Sequence, residues 1–383
     1  MCGIAGLIYS DRARPVEAGA IRAMNAALAH RGPDDEGVWT SGAVGLGHRR
    51  LSIIDLSPAG HQPMQNEDGS LRLVFNGEIY NFPELRKQCQ ERGHALSSHT
   101  DSEVILHLYE DFGDAVVERL NGMFAFGLWD ARKERLLLAV DRLGKKPIRY
   151  SLGPWGLAFG SEIGALLALP EVSREVDHEA IWHYLTLGYI PAPMTGFSDV
   201  RKLPAAHRMV YESGRVRLER YWRIDLSHKD AKRPEEWQEE ILALLEDAVK
   251  IRMESDVPLG AFLSGGVDSS AVVALMARHS SRPVRTFSIG FAEEKYNELP
   301  AARDVAGWFS TEHTELVVRP SAMEVFPKLV DAYGEPYADS SALPSYYLAQ
   351  VTRQYVTVAL NGDGGDENRR LRALQSLRGA WTG

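Results

Sequence analysis

Short apolar runs closed by Gly, Asn or Asp dominate roughly the first 210 positions of the chain. Runs at 3–9, 51–55, 71–75, 123–129, 135–140 and 157–160 have strand length, and turn signals separate them. Apolar positions recur with helical spacing at 16–29, 82–90 and 101–111. Strands that outnumber isolated helices predict an α+β arrangement, two packed layers of sheet with helices outside. Between 223 and 236 the pattern lapses into polar, aperiodic sequence around Pro234, which marks a linker. Beyond it the rhythm changes. Helices at 235–252, 269–278 and 301–309 alternate with strands at 259–263, 285–291 and 356–360. Short apolar strands between helices predict an α/β, doubly wound parallel sheet. No repeat of 20–50 residues interrupts this two-part organisation, which sets solenoids and propellers aside.

Length and composition narrow the picture only in places. A chain of 383 residues suggests two or three domains, each able to bury its own core. With 43 basic and 52 acidic residues the net charge is −9, which argues against a nucleic-acid partner. The two cysteines, Cys2 and Cys89, make neither a disulfide framework nor a thiolate zinc site. The 12 histidines show no ligand spacing with Cys, Asp or Glu, so no metal centre is expected among them. No apolar run approaches the ~20 residues of a membrane span. The apolar stretch at the N-terminus follows no basic region, so a secretory signal is not expected and a reducing, cytoplasmic setting is the default.

Cys2 follows the initiator Met1 and is small enough to be expected at the N-terminus after methionine removal. A thiol on an N-terminal residue carries its own general base, because the α-amino group titrates near pH 8. Read alone, such a cysteine is a small buried hydrophobe at a strand start. Its company changes the reading. Asn76-Gly77 after an apolar strand offers a side-chain amide and an unencumbered N–H to an oxyanion. Arg50 and Asp101 match the carboxylate and ammonium of an amino-acid substrate in opposite sense.

Cys2-Gly3-Ile4, His30-Arg31-Gly32-Pro33-Asp34, Gly47-His48-Arg49-Arg50-Leu51-Ser52-Ile53-Ile54-Asp55, Asn76-Gly77-Glu78-Ile79-Tyr80-Asn81 and Thr100-Asp101-Ser102-Glu103 together resemble class II glutamine amidotransferase domains. The resemblance implies an N-terminal-nucleophile αββα sandwich over 2–215 that hydrolyses glutamine to glutamate and ammonia. It implies Cys2 as nucleophile and Asn76 with Gly77 as oxyanion hole. Arg50 would hold the glutamine carboxylate and Asp101 its ammonium, with Leu51, Ile53 and Glu78 completing the glutamine contacts. Cys89 lies on a predicted helix, matches none of these motifs and reads as structural.

In the second region, Ser264-Gly265-Gly266-Val267-Asp268-Ser269-Ser270 joins an apolar strand to a helix. Glycines let the backbone approach an anion, and the helix start offers free N–H groups and positive dipole. No Gly-Lys-Ser/Thr follows, so it is not a Walker loop. The run resembles the pyrophosphate loop of ATP pyrophosphatases, and Asn361-Gly362-Asp363-Gly364-Gly365-Asp366-Glu367 follows a later strand. A glutaminase followed by such a domain at 235–383 resembles the glutamine-hydrolysing asparagine synthetases. That resemblance implies β-aspartyl-AMP made from ATP and aspartate, then attacked by ammonia. ATP contacts would come from Leu263, Ser264, Gly265, Gly266, Asp268, Ser269, Ile289, Asn361 and Gly362. Asp363 would serve adenylation, and Asp268 with Asp366 would hold Mg²⁺. No tightly bound organic cofactor, nucleic acid or membrane is expected, and a homodimer is the candidate assembly. A paralogue with another carboxylate acceptor, a non-catalytic binding protein and a free-standing glutaminase are the alternatives.

After Asp366-Glu367-Asn368 the family continues with an aromatic-glycine-tyrosine segment, whereas here Arg369-Arg370-Leu371-Arg372 leads to Gly383. The expectation is a second domain truncated after about 368 by a shift of reading frame, or a genuine short variant, with glutaminase activity uncoupled from synthesis. Resequencing the codons after Asn368 tests the shift: two missing thymines in an Asn-Phe-Ala-Gly-Tyr segment are expected, and an intact frame would remove the explanation.

Overall fold

The computed structural model describes residues 1–227, 230–291, 297–318 and 322–365. Two compact units divide the chain: Met1–Lys229 with Phe326–Asp339, and Asp230–Val325 with the residues from Ser340 on. In the first, the chain forms β1 (Gly3–Tyr9), α1 (Ala18–Ala27), β2 (Asp35–Ser41), β3 (Val44–Arg50), β4 (Met64–Gln65) and β5 (Leu71–Ile79). Helices α2 (Phe82–Glu91), α3 (Glu103–Phe112) and α4 (Val116–Arg119) precede β6 (Gly122–Asp130), β7 (Arg135–Val140), β8 (Arg149–Gly153) and β9 (Gly156–Gly160). Then come α5 (Ile163–Leu167), α6 (His178–Leu187), β10 (Arg201–Lys202), β11 (His207–Glu212) and β12 (Arg215–Arg220).

These strands form two antiparallel six-stranded sheets, β10-β8-β9-β1-β3-β2 and β12-β11-β7-β6-β5-β4. One apolar core, with Ile4, Leu46, Val74, Leu138 and Phe159, lies between the sheets. A second joins the β5–β7 face to α2 and α3 through Phe75, Leu85, Ile105 and Phe126. The third joins β1 to α1 and α5 through Leu7, Ile21, Met24 and Leu166. Helix, sheet, sheet and helix therefore stack as four layers, the αββα sandwich the resemblance implies. All seven residues of β1 are buried, because this strand has a sheet neighbour at each edge and a packed layer on each face.

Three expectations need correction. Residues 51–55 are not a strand: β3 ends at Arg50, and the chain turns away through Asp55, whose φ is +56°. The helix expected from 101 starts at Glu103, leaving Asp101 in the preceding turn. Residues 326–339, which fall inside the second region of the sequence, belong to the first unit. There Glu335 pairs with Lys202 at 2.6 Å, both side chains largely buried, and Ala338 N–H donates to the Gly188 carbonyl.

The second unit opens with α7 (Pro234–Ile251), started by a proline at its first turn and by Glu236, which accepts from the Arg233 N–H. It continues with β13 (Leu259–Phe262), α8 (Val267–His279), β14 (Arg285–Phe291), α9 (Leu299–Trp308) and β15 (Glu312–Val318). Then α10 (Ala322–Tyr333), which runs across the division between the units, precedes α11 (Ala342–Thr352) and β16 (Val358–Leu360). The strands pair in parallel in the order β15-β14-β13-β16. Strand order therefore reverses between β13 and β16, which makes the C-terminal ends of these two strands the natural crevice of the sheet. Asp366 and the arginine-rich tail lie outside the described residues. Among the described residues no helix is long and apolar enough to cross a membrane.

Phe159 is fully buried between the two sheets. Phe159→Ala is expected to cost about 3–5 kcal/mol of unfolding free energy. A chemical-denaturation midpoint at the wild-type value would show that the two sheets do not depend on this contact.

Candidate active site

Gly3 of β1 pairs with Arg49 of β3, so Cys2 and Arg50 leave their strands at the same end of the first sheet. The Leu51 N–H donates to Cys2 Sγ at 3.5 Å, and the thiol lies 3.7 Å from the Leu51 carbonyl. From the second sheet, β5 brings Asn76, Gly77 and Glu78 to the same place, and the turn before α3 brings Asp101. Cys2, Arg50, Leu51, Ile53, Asn76, Gly77, Glu78 and Asp101, named from the sequence, all line one pocket.

Each side chain is held by structure outside the pocket. The Arg50 guanidinium donates to the carbonyls of Ile54, Asp55 and Ser57, which is why the chain turns after β3 instead of extending. A Cβ at Gly60 would stand 1.9 Å from Arg50 Nη2, so the glycine makes room for the guanidinium. Asp55 ties this turn to the next one, accepting from the Ser57 N–H and hydroxyl and from the His99 N–H. Glu103, first residue of α3, accepts from the N–H and hydroxyl of both Ser97 and Ser98. Burial alone would raise Glu103, but His107 beside it and the serine donors outweigh that and pull it down to about 2. His48 Nε2 donates to the Phe75 carbonyl at 3.0 Å, fixing β5 one residue before Asn76. Burial pushes His48 down to about 4, so it is a neutral strut.

Three groups in the pocket are buried at a cost. Asn76 is completely buried, and neither its amide nitrogen nor its oxygen has a hydrogen-bond partner among the described residues. A buried amide left so costs on the order of 1–3 kcal/mol, which a ligand in the pocket would recover. Burial pushes the Cys2 thiol up despite the Leu51 N–H and the N-terminal charge, so it needs a base to react. Burial likewise pushes Asp101 up to about 6, against the N–H of Ile79 that donates to it at 2.8 Å. Sequence reading missed Lys146, which lines the pocket and which burial, then Arg31, push down to about 8. No local motif marks it, because it arrives in the turn between β7 and β8. Cys89 is wholly buried in the α2–α3 core, where burial pushes its thiol to about 11.

In the second unit, the loop after β13 closes on itself. The Ser264 and Ser269 hydroxyls lie 2.9 Å apart, Gly266 N–H donates to Ser264 Oγ, and Ser269 Oγ donates to the Gly266 carbonyl. Helix α8 starts at Val267, two residues earlier than its spacing suggested, so Asp268 sits in its first turn. The 361–365 turn after β16 lies directly against this loop: a Cβ at Gly362 would be 2.7 Å from the Ser269 nitrogen. Asn361 Nδ2 donates to Asp363 at 2.6 Å. Ile289 is half-buried on β14, the strand beside β13. Thus Ser264–Ser269, Asn361, Gly362 and Asp363 meet at the reversal point of the sheet.

Residues 1–222 match the family described as glutamine amidotransferase domain, and residues 240–369 match the one described as asparagine synthase. A Methanocaldococcus jannaschii protein, provisionally named the second glutamine-hydrolyzing asparagine synthetase of that organism, is 39% identical over 393 residues. That match covers 96% of this chain and 75% of the relative. Asparagine synthetase (glutamine-hydrolyzing) 1 of Bacillus subtilis is 34% identical over 371 residues, covering 96% of this chain and 58% of the relative.

Asp101 generates a stability prediction. Its folded value of about 6 lies above the ordinary carboxylate value near 4, so folding favours the proton. The penalty for its charge therefore appears as pH rises from about 4 through about 6 and is complete above that. Asp101→Asn is expected to be more stable than wild type at about pH 7.5, by roughly 1–3 kcal/mol, with the difference vanishing near pH 4. Equal denaturation midpoints at both pH values would refute the buried charge.

Proposed function

Because the chain belongs to the family of glutamine-hydrolysing asparagine synthetases, we propose that it transfers glutamine-derived ammonia to an aspartyl adenylate, forming asparagine. The observation that carries the first half-reaction is the buried Asn76 amide, without hydrogen-bond partners among the described residues, in a pocket shared with Cys2, Arg50 and Asp101. The α-amino group of Cys2, freed when Met1 is removed, takes the thiol proton that burial makes hard to lose. The thiolate attacks the side-chain amide carbon of glutamine, and its oxygen moves to the Asn76 Nδ2 and Gly77 N–H donors. The amine returns the proton to the leaving nitrogen, the C–N bond breaks, and ammonia departs from a thioester on Cys2. Water then cleaves the thioester to glutamate. Arg50 pairs with the α-carboxylate of glutamine, and ionised Asp101 pairs with its ammonium.

In the second half-reaction, the backbone N–H groups of the 264–270 loop and the start of α8 cradle the pyrophosphate of ATP. Ile289 contributes backbone to the adenine, and Asp363 and Asn361 face the adenylation step. The aspartate β-carboxylate displaces pyrophosphate to give the mixed anhydride, and ammonia displaces AMP. Asp268 would hold Mg²⁺ through its carboxylate oxygens, the hard donors that ion takes; Asp366, the other ligand the resemblance implies, lies outside the described residues. Mg²⁺, when bound, neutralises charge on the departing pyrophosphate. A reaction on ATP and free amino acids suits a cytoplasmic enzyme.

The products formed from glutamine, ATP and aspartate test this reading. Glutamate, asparagine, AMP and pyrophosphate are expected by mass spectrometry; glutamate without asparagine would leave only the uncoupled glutaminase that the sequence after Asn368 leads one to expect, and AMP formed only with a different carboxylate would reassign the acceptor. Cys2→Ala is expected to abolish glutamate release, and Asn76→Ala to lower kcat by about 10²–10³. Arg50→Ala should raise the KM for glutamine by about tenfold or more, since it leaves a substrate charge unpaired. Wild-type glutamate release from Cys2→Ala would overturn the assignment.

A further inference from the structure

Three chemistry-bearing side chains gather on the α2–α3 side of the first unit, apart from the residues that line the pocket. Glu67 stands in the turn between β4 and β5, His94 just after α2, and His107 on α3. One ligand atom from each lies within 4.8 Å of the others. His107 Nδ1 is 3.6 Å from Glu67 Oε1 and 3.5 Å from Glu110 Oε2, and His94 Nδ1 is 3.5 Å from that same Glu110 oxygen. These separations are too long for hydrogen bonds. They match the edge of a tetrahedron of N and O ligands around an ion, about 3.3–3.6 Å for bonds of about 2.0–2.2 Å.

The independent observation is His107 itself. It is 1% exposed, and neither of its ring nitrogens has a hydrogen-bond partner among the described residues. His94 Nε2 is likewise buried and without one, 3.4 Å from Asp111 Oδ2. Buried imidazole nitrogens nearly always have a partner in the protein, a water or an ion. The carboxylates are already oriented: Glu110 Oε1 accepts from Asn66 Nδ2 at 2.8 Å, and Glu67 Oε1 accepts from the Ala95 N–H at 3.3 Å. Glu103 lies on the far side, 3.8 Å from His107 Nε2. Glu67 is 45% exposed at its side chain and opens a path from solvent. Four carboxylates around two imidazoles favour a cation.

We propose that Glu67, His94 and His107 bind a divalent transition-metal ion, zinc by ligand type, with Glu110 beside both histidines as the fourth ligand it can recruit, in a structural site that staples α2 and α3 to the β4–β5 turn. Two imidazoles and two carboxylates, without thiolate, suit zinc better than the hard cations. The staple would act next to the glutamine pocket, since His107 follows Glu103 by one helical turn and Glu103 fixes the 97–98 stretch before Asp101.

The test is zinc titration of the chelator-treated full chain against a chromogenic competitor, with thermal melts in parallel. Wild type and Cys2→Ala are each expected to bind zinc at this site and to melt higher with it. Cobalt in its place should give the strong visible absorption of a tetrahedral centre. His94→Ala and the isosteric, exposed Glu67→Gln should each weaken binding by at least about tenfold while melting like metal-free wild type in chelator. No zinc binding, binding equally tight in Glu67→Gln and His94→Ala, or binding lost only in Cys2→Ala would overturn the site.

Discussion

The first unit is organised around a single constraint: its second residue must emerge from an interior strand of a six-stranded sheet. Strand β1 has no edge to give to solvent, because β3 and β9 hold its backbone on both sides and apolar layers cover both faces. Its exit is fixed as firmly. The Ile4 N–H donates to Ser161 Oγ, the Ser161 N–H donates back to the Ile4 carbonyl, and Arg31 donates to the Cys2 carbonyl. A residue ordinarily free to fray at a chain end is thereby held in place by the middle of the fold.

Around that fixed thiol, the pocket is electrostatically expensive. It collects a buried amide without hydrogen-bond partners among the described residues, a buried carboxylate that resists ionising and a lysine that resists protonation. Each is a local cost that the three surrounding cores offset. Costs of this kind cluster where a fold does chemistry, because groups satisfied by the protein itself would have nothing left for a substrate. Struts such as His48 and the Arg50 turn keep the pocket from collapsing onto its own donors.

The sequence made the pocket legible because its residues occur in short runs whose local order carries their spacing, as in Asn76-Gly77-Glu78. Buried strands such as β1, β6 and β7 were equally plain from their apolar runs. What escaped was anything decided by partners distant in the chain. Strand β3 contains Gly45, Gly47, His48, Arg49 and Arg50, and owes its conformation to β1 and β2, not to propensity. Strand β12 is mostly exposed, so no apolar face announces it. The run 51–55 has strand composition, yet the carbonyls of Ile54, Asp55 and Ser57 are spent on one guanidinium. Glu67, His94 and His107 converge from three elements at separations that no ligand motif encodes, which is why the histidines looked unremarkable.

The discontinuity of the first unit bears on how the chain could be divided by evolution or by engineering. A cut in the polar stretch near 230 looks clean on paper, but it would remove Glu335, which lies 2.6 Å from Lys202 and 3.3 Å from the Gly196 N–H. Lys202 would keep the Ile190 carbonyl and lose its counter-charge while still largely enclosed. Stranding one member of a buried ion pair costs about 3–5 kcal/mol. The αββα half is therefore not a cassette bounded by its linker: a portable version must carry the 326–339 stretch grafted back onto it, or replace Lys202 with an apolar residue that asks for no partner.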